Sequence, residues 1–591
     1  MTLVARLSAL ESSGLIHLAQ TLPDVEYLFR HALVQDAAYS SLVKNDRRRL
    51  HLAVGEALER MHPSRLDELA PRLAEHFQVA GDDHRALKYF AQAGDAAARI
   101  YALPEAIAHY TRALELAQRP ARFQTESVQS LYLKRGAALH SNARWQEAWD
   151  SYIELENLGR ARGDRSIELA GLVERALLCA IYGPLMNPAQ AETLSQQALA
   201  LARELGDREA EARILWVLMR ASTFTPGDPA RAVAYGEQSL ALARELGLSE
   251  LLTYTLNDIQ YAYRAAGQVD RALTALADAR ERWQANGNLH MLADNLNQSA
   301  LITFYLGAFE STLALTYKAD EISRASHNLT QQVLSRFIAG QIYFEYGDLG
   351  RAIQLLEEGL AFKSPVGLGI GIVLALVYAE LGELDRALQI GQSTLAELKD
   401  TSLMPVYGPI TLSSLARLSL LKGDLATAET FLQAAGDLLL SHLNLAQFLG
   451  ADSAPLANAD LALVRQDYAR ALTLLDAFLD QLRRIEALKQ APEALYLKGQ
   501  AYLAQDRLEE ARQCLLAARA EAERMNVRRM RWRILAALSR IEAERDNAAE
   551  ARRLRQQARK VIDYMAEHAG SPELRASFLN SPDVQRVISE Q

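Results

Sequence analysis

The sequence predicts an all-α solenoid, built from helix–turn–helix hairpins stacked side by side with a period near 40 residues. Three observations predict it. Turn formers are scarce, 31 Gly and 16 Pro in 591 residues, while Ala, Leu, Glu, Arg and Gln abound, which favours helix. One short phrase keeps returning: a small or polar turn, an acidic residue, then Arg-Ala or Glu-Ala opening an apolar stretch. No strand-like alternation accompanies that period.

The composition bounds the function classes. Hydrophobic residues make up 50% and charged residues 23%, so the chain forms a core rather than staying disordered. A net charge of −9 gives no overall field towards nucleic acid or an acidic membrane surface. The two cysteines, Cys179 and Cys514, exclude a disulfide framework and a thiolate metal site, and they suit a reducing, cytoplasmic setting. The most apolar run, Val366 to Ala379, is shorter than the roughly 20 residues a spanning helix needs. It reads as a buried helix, and no membrane association is expected.

At the N-terminus, Leu3, Leu7, Leu10, Leu15 and Ile16 predict an amphipathic helix that stops at Ser13-Gly14. It carries one basic residue and Glu11, unlike a signal peptide. A short extended piece around Val25–Phe29 and a helix from His31 to Val43 follow. Residues 1–75 do not follow the period; the array is expected over 76–570 and a tail over 571–591.

Taking the small residue of each phrase as an anchor gives Ala86, Ala106, Ala148, Ala191, Ala232, Ala272, Thr312, Ala352, Ala387, Ala428, Ala471, Ala511 and Ala551. The frames at Ala106 and Ala191 are the weakest. In GELDRAL (Gly382–Leu388) and its relatives, Gly ends the first helix and the acidic residue opens the second, where its charge suits the helix dipole. Ala at the anchor lets two helices approach closely. A single hairpin cannot bury its apolar face, so neighbours must stack.

These registers resemble the tetratricopeptide (TPR) family in its longer form. Twelve positions before the anchor, where that family prefers a small residue, stand Gly136, Gln260, Ala300, Gly340, Ala375, Ala416, Ala459 and Gly499. Nine before it stand Tyr263, Tyr343, Tyr378 and Tyr502, with Thr303 and Ser419 departing. The resemblance implies a TPR-like superhelical solenoid of about 12 repeats. The stretch Tyr27–Glu59 resembles the end of the winged-helix part of bacterial STAND-class signalling ATPases, among them cyclase-linked and MalT-like regulators. Phe29, Arg30, His31, Leu33, Tyr39, Leu42, Arg48, Leu50 and His51 carry the likeness. It implies a short winged-helix remnant leading into a sensor arm. No Gly-Lys dipeptide occurs, so the chain holds no P-loop.

By the TPR resemblance, the positions 18, 15, 11 and 8 before each anchor face inwards. They are Tyr254, Asn257, Tyr261 and Arg264 in one repeat, and Asp294, Asn297, Leu301 and Phe304 in the next. Leu334, Phe337, Gln341 and Phe344 follow. Asn257 and Asn297 share a register on adjacent units, and an amide has both a donor and an acceptor for the backbone of an extended peptide. The aromatics would add contact area. They can equally fill the interior of the superhelix, and both readings stay open at this point.

No enzyme signature is present: there is no G-x-S-x-G elbow, and Gly367-x-Gly369-x-Gly371 lacks a strand before it. The twelve histidines include no HExxH and no H-x-x-x-H pair, so no metal, no cofactor and no catalysis are expected. From Arg519 to Lys560 basic residues outnumber acidic ones, with Trp532 among them, but a solvated or docked helix face explains this better than nucleic acid. The expected role is a non-catalytic sensor or scaffold arm of a bacterial signal-transduction or transcription-regulating ATPase. It would bind a protein or peptide, or a small-molecule effector, on its concave face. The alternative is a stand-alone TPR adaptor or peptide receptor. Oligomeric state is left open.

Overall fold

A computed structural model describes residues 2–20, 25–117, 125–181, 183–225, 228–362, 364, 367–399, 401, 403–441 and 453–589. The chain divides into two compact units, Met1–Glu174 and Arg175–Gln591. The first opens with α1 (Leu3–Ser12), an antiparallel hairpin of β1 (Ile16–Gln20) and β2 (Glu26–Phe29), and α2 (Ala32–Ser40). It continues through α3 (Lys44–Met61), α4 (Leu66–Ala80), α5 (Asp83–Arg99), α6 (Leu103–Ala117), α7 (Thr125–Ser141) and α8 (Trp145–Arg162). The boundary falls within α9 (Arg165–Ala180).

In the second unit, α10 (Pro188–Leu205), α11 (Arg208–Phe224), α12 (Pro229–Glu245), α13 (Ser249–Ala265) and α14 (Val269–Ala285) come first. Next are α15 (Leu289–Tyr305), α16 (Phe309–Ala325), α17 (Leu329–Tyr346), α18 (Leu349–Leu360), α19 (Leu368–Glu380) and α20 (Leu384–Leu398). Then follow α21 (Met404–Leu421), α22 (Leu425–Ser441), α23 (Ala454–Val464) and α24 (Tyr468–Arg484). A 3₁₀ turn (Leu488–Gln490) precedes α25 (Ala491–Leu503), α26 (Leu508–Arg524), α27 (Arg528–Glu544) and α28 (Ala548–Glu567). Two short helices, α29 (Pro572–Asn580) and α30 (Pro582–Ser589), close the chain where a tail was expected, and they bury Phe578 and Val584. The chain is an all-α, TPR-like solenoid of helix hairpins.

The recurring small residues explain the stacking. Each anchor lies near the start of the second helix of a hairpin. All are fully buried, Thr312 included, except Ala551 at 3% exposure. The weak frames at Ala106 and Ala191 obey the same rule, at the starts of α6 and α10. The small residue twelve before the anchor makes room for the side chain four after it. A Cβ on Gly340 would lie 2.7 Å from Leu356, and one on Gly499 would lie 2.8 Å from Leu515. Tyr110 fills the same space over Gly94, so α5 serves as second helix of one hairpin and first helix of the next.

The polar residue of the phrase caps the helix that follows. Asp82, Asn187, Asp348, Asp467 and Asn547 each accept a hydrogen bond from the backbone N–H three residues on. Gly347, with φ +74°, makes the left-handed turn between α17 and α18, and a Cβ there would meet Met565 at 2.8 Å.

That contact is one of a series within the second unit. A Cβ on Gly267 would meet the Arg484 carbonyl at 3.1 Å, and one on Gly307 would meet Met525. Each partner lies five to six repeats further along the chain. The second unit therefore returns against itself after one superhelical turn, and its largest core cluster joins residues from Ala300 to Val584.

The N-terminal segment differs. Between residues 2 and 61, only Ile16 and Gly55 are buried among the described residues. Among the described residues, fifteen of the 25 exposed large apolar side chains precede residue 80, among them Leu3, Val4, Leu28, Phe29, Leu33 and Val43. Among the described residues the segment encloses no core of its own. A two-stranded hairpin is marginal without a further partner.

Candidate functional site

The inward positions of α13, α15 and α17 converge on one carboxylate. Asp294 on α15 is half-buried, and its two oxygens end two hydrogen-bond relays. In the first, Arg280 Nε donates to Asn295 Oδ1 at 3.0 Å, and Asn295 Nδ2 donates to Asn257 Oδ1 at 2.9 Å. Asn257 Nδ2 then donates to Asp294 Oδ2 at 3.2 Å. In the second, Ser335 Oγ donates to Asn297 Oδ1 at 3.1 Å, and Asn297 Nδ2 donates to Gln331 Oε1 at 2.9 Å. Gln331 Nε2 completes it to Asp294 Oδ1 at 3.0 Å.

The chemistry of the end groups fixes the direction of every link. The Asp294 carboxylate only accepts, and the Arg280 guanidinium at the far end of the first relay only donates, so each amide of either relay can be oriented in one way. The result is a polarised network that ties α13, α14, α15 and α17 together.

Burial pushes the Asp294 carboxyl up, opposed by the bonds from Asn257, Gln298 and Gln331, with Asp258 adding to the rise. Burial also lowers Arg280 from its ordinary value. The neighbouring Asp258 is compensated directly, by Arg220 at 2.5 Å and Trp216 Nε1 at 2.9 Å. Asp294 forms no ion pair among the described residues; its partners are three neutral amides.

One of the two readings left open by the sequence has Asn257 and Asn297 hold the backbone of a peptide. Both are buried, and their donors and acceptors are spent on neighbouring helices. Leaving this network would expose unsatisfied groups, so the amides serve the fold first. Phe304 and Phe344 are buried too: Lys489 sits 4.7 Å over the Phe304 ring, and Arg529 sits 5.0 Å over Phe344. Phe337 and Leu301 pack against the main core cluster.

Tyr261 packs beside Phe224, 6.1 Å between ring centroids, with Val406 and Tyr407 in the same cluster. Arg264 lies 5.8 Å over Tyr305. Burial pushes Tyr305 and Tyr407 up to about 12 each. Tyr254 and Gln341 stay half-buried, Tyr254 5.0 Å from Trp283. Of the expected inward set, Asn257, Asn297, Phe304 and Phe344 are buried, while Tyr254, Tyr261, Arg264, Asp294, Leu301, Leu334, Phe337 and Gln341 keep partial exposure.

A second polar centre closes the superhelical turn. Glu345 on α17 receives Arg529 Nε at 3.1 Å and Lys489 at 3.5 Å. Arg529 also meets Glu493 at 3.1 Å, and Glu493 meets Arg417, which binds Asp460 at 2.6 Å. Burial works against the Glu493 charge, but Arg417 and Arg529 hold it well below the carboxylate range.

Arg280, Asn295, Gln298, Gln331 and Ser335 were not anticipated. The available signal was the run Asn295-Leu296-Asn297-Gln298-Ser299, which sets polar residues along a helix whose neighbours are apolar. Trp532 is 2% exposed, so its face is not open to a base. In the Gly369–Gly371 stretch, a Cβ on Gly369 would meet the Tyr407 ring at 2.8 Å and one on Gly371 would meet Thr394, so these glycines serve close helix packing. Val366, at the start of the apolar run, lies outside the described residues. Among the described helices none is long and apolar enough to cross a membrane. Among the described residues no group of three or more His, Cys, Asp or Glu could hold a metal ion.

No protein-family model matches the chain, and no curated protein does. Solved structures with a similar course include the APC/C hetero-tetramer Cut9–Hcn1, at 14% identity and TM-score 0.45, covering 94% of this chain and 97% of that one. A Rap protein complexed with competence and sporulation factor matches at 12% identity and TM-score 0.40, over 68% of this chain and 99% of that one. A STAND protein with a tetratricopeptide repeat sensor from Pyrococcus horikoshii matches at 14% identity and TM-score 0.38, over 74% of this chain and 58% of that one. Likeness at this level carries no argument about function.

Proposed function

We propose that this chain is a non-catalytic arm of a bacterial signal-transduction ATPase. It binds a protein or peptide partner on the inward face around Tyr254, Asp294 and Gln341, and its N-terminal segment docks on a preceding domain. The observation that carries this reading is the uncovered apolar face of α1, β2 and α2, with Leu3, Phe29 and Leu33 exposed. Apolar clusters of this kind on a folded chain mark a surface that another body covers. The resemblance of Tyr27–Glu59 to the winged-helix end of STAND proteins supplies the kind of body.

A partner would act by favouring one curvature of the array, which requires unequal binding to the two states. The test is hydrogen exchange across Glu26–Ser40 in this chain, alone and joined to the domain encoded immediately upstream. Slower exchange in the joined protein supports the reading. Equal exchange, or an upstream region encoding no P-loop domain, contradicts it. A stand-alone adaptor is the second reading, favoured by the self-contained closure of Arg175–Gln591 through Glu345, Arg529 and Glu493.

A further inference from the structure

The first unit holds an open cleft of about 700 Å³ between α4, α5, α6 and α7, a size typical of small-ligand sites. Its charges alternate in sign. Asp95 on α5 is held from two sides: Tyr110 Oη donates to Oδ1 at 2.7 Å, and Lys134 Nζ donates to Oδ2 at 2.8 Å. Tyr110 is buried over Gly94. Burial, then its bond to Asp95, pushes its hydroxyl up, so it stays a donor. One helical turn beyond Asp95 on the same helix, Arg99 meets Asp67 of α4 through one nitrogen at 3.0 Å. That pair is 64% and 62% exposed, so it adds little to the fold and opens at little cost. Gln92, one turn before Asp95, lines the same cleft, and its amide nitrogen makes no hydrogen bond among the described residues.

Two carboxylates and two cations line this cleft, so a ligand of one sign meets two groups that repel it. A neutral ligand would take water from all four charges and return no ion pair. A molecule carrying both signs matches the alternation. We propose that the cleft binds a zwitterion, a ligand with an ammonium and a carboxylate, as a short unblocked peptide or a free amino acid has. Its carboxylate takes the unused N–H groups of Arg99 and the Gln92 amide, since a guanidinium has five donors and only one nitrogen of Arg99 is engaged. Its ammonium takes Asp95, which Tyr110 and Lys134 keep in place. The proposal does not rest on the inward-face reading given above, because all of these residues belong to Met1–Glu174.

Calorimetric titration of the full chain tests each charge in turn, with triglycine, N-acetyl-triglycine, triglycinamide and N-acetyl-triglycinamide. Triglycine is expected to bind tightest, and blocking either end to weaken binding about fivefold, the scale of one partly exposed ion pair. Glycine separates the two sources: binding as tight as that of triglycine assigns a free amino acid, and weaker binding assigns a peptide. Arg99→Gln is expected to remove the difference between triglycine and triglycinamide while keeping that between triglycine and its N-acetyl form. The Gln92 side chain makes no bond within the fold, so Gln92→Leu is expected to keep the melting temperature and to weaken triglycine. Four results overturn the proposal: equal binding of the four tripeptides, tightest binding of a singly charged one, no binding of any at millimolar concentration, or a triglycine preference unchanged in both Arg99→Gln and Gln92→Leu.

Discussion

Arg529 and Glu345 stand 184 positions apart in the chain and 3.1 Å apart in space, the guanidinium of α27 meeting the carboxylate at the end of α17. Glu345 is 7% exposed and Arg529 is 15% exposed. The pair turns a one-dimensional stack of hairpins into a body with a second dimension. Removing Arg529 leaves Glu345 with Lys489 alone and Glu493 with Arg417 alone, so Arg529→Met is expected to cost about 1–3 kcal/mol of unfolding free energy. The double variant Arg529→Met with Glu345→Gln should recover part of that loss. Urea denaturation reads both, and an unchanged midpoint in Arg529→Met would contradict the role given to the pair.

Packing around the anchors gives a second expectation. At Gly340 a Cβ would meet Leu356 at 2.7 Å. Gly340→Ala should therefore destabilise by about 1–3 kcal/mol despite the better helix propensity of alanine. Adding Leu356→Ala should relieve the clash, so the two changes together cost less than their sum. Strict additivity in thermal melts would rule out the contact.

The relays predict a structural penalty at the asparagines. Asn257→Ala takes one of two acceptors from Asn295 and the amide donor from Asp294 Oδ2, at an expected cost of about 1–3 kcal/mol. Asn297→Ala should behave alike, because Ser335 and Gln331 lose their partner. Calorimetry of the two single variants checks this, and wild-type stability in either would show that the relay adds nothing.

Acidification should loosen the first unit. His51 Nδ1 and His76 Nδ1 lie 2.9 Å apart, and Tyr39 meets His51 Nε2 at 3.0 Å. Burial lowers both imidazoles, Arg47 adding to the effect at His51, and His51 and Arg72 adding to it at His76. Glu75 opposes the shift at His76. A histidine lowered in the fold stabilises above its unfolded value, near 6.5, and loses that contribution as pH falls through the window below it. Melting temperature should therefore fall between pH 7 and pH 5, less steeply in His76→Asn. A rise over that range would refute the assignment.

Much of the fold was legible because the period lives in local chemistry. A small anchor, a capping Asp or Asn and a turn glycine each act within a few residues, so Ala272 or Asp348 can be read from their neighbours. The closure through Glu345 and Arg529 was not legible, because no periodic signal links residues five repeats apart. The candidate site was half legible. The shared register of Asn257 and Asn297 was visible, but their partners Asn295, Gln331 and Ser335 occupy other registers, and only the packed helices bring them together. Phe304 and Phe344 carried an expectation of an inward face; that they are buried in the core under Lys489 and Arg529 depends on the return of the chain.

The most direct measurement is the distance across that return. Spin labels at Glu310 and Arg524, both exposed, sit on elements that meet where Gly307 touches Met525. Pulsed dipolar spectroscopy should give a single distance below roughly 25 Å, since the two elements are in contact and helices are about 10 Å across. An extended array would separate the labels by several helix diameters, on the order of 50 Å or more, and that result would contradict the closed solenoid on which the candidate site is built.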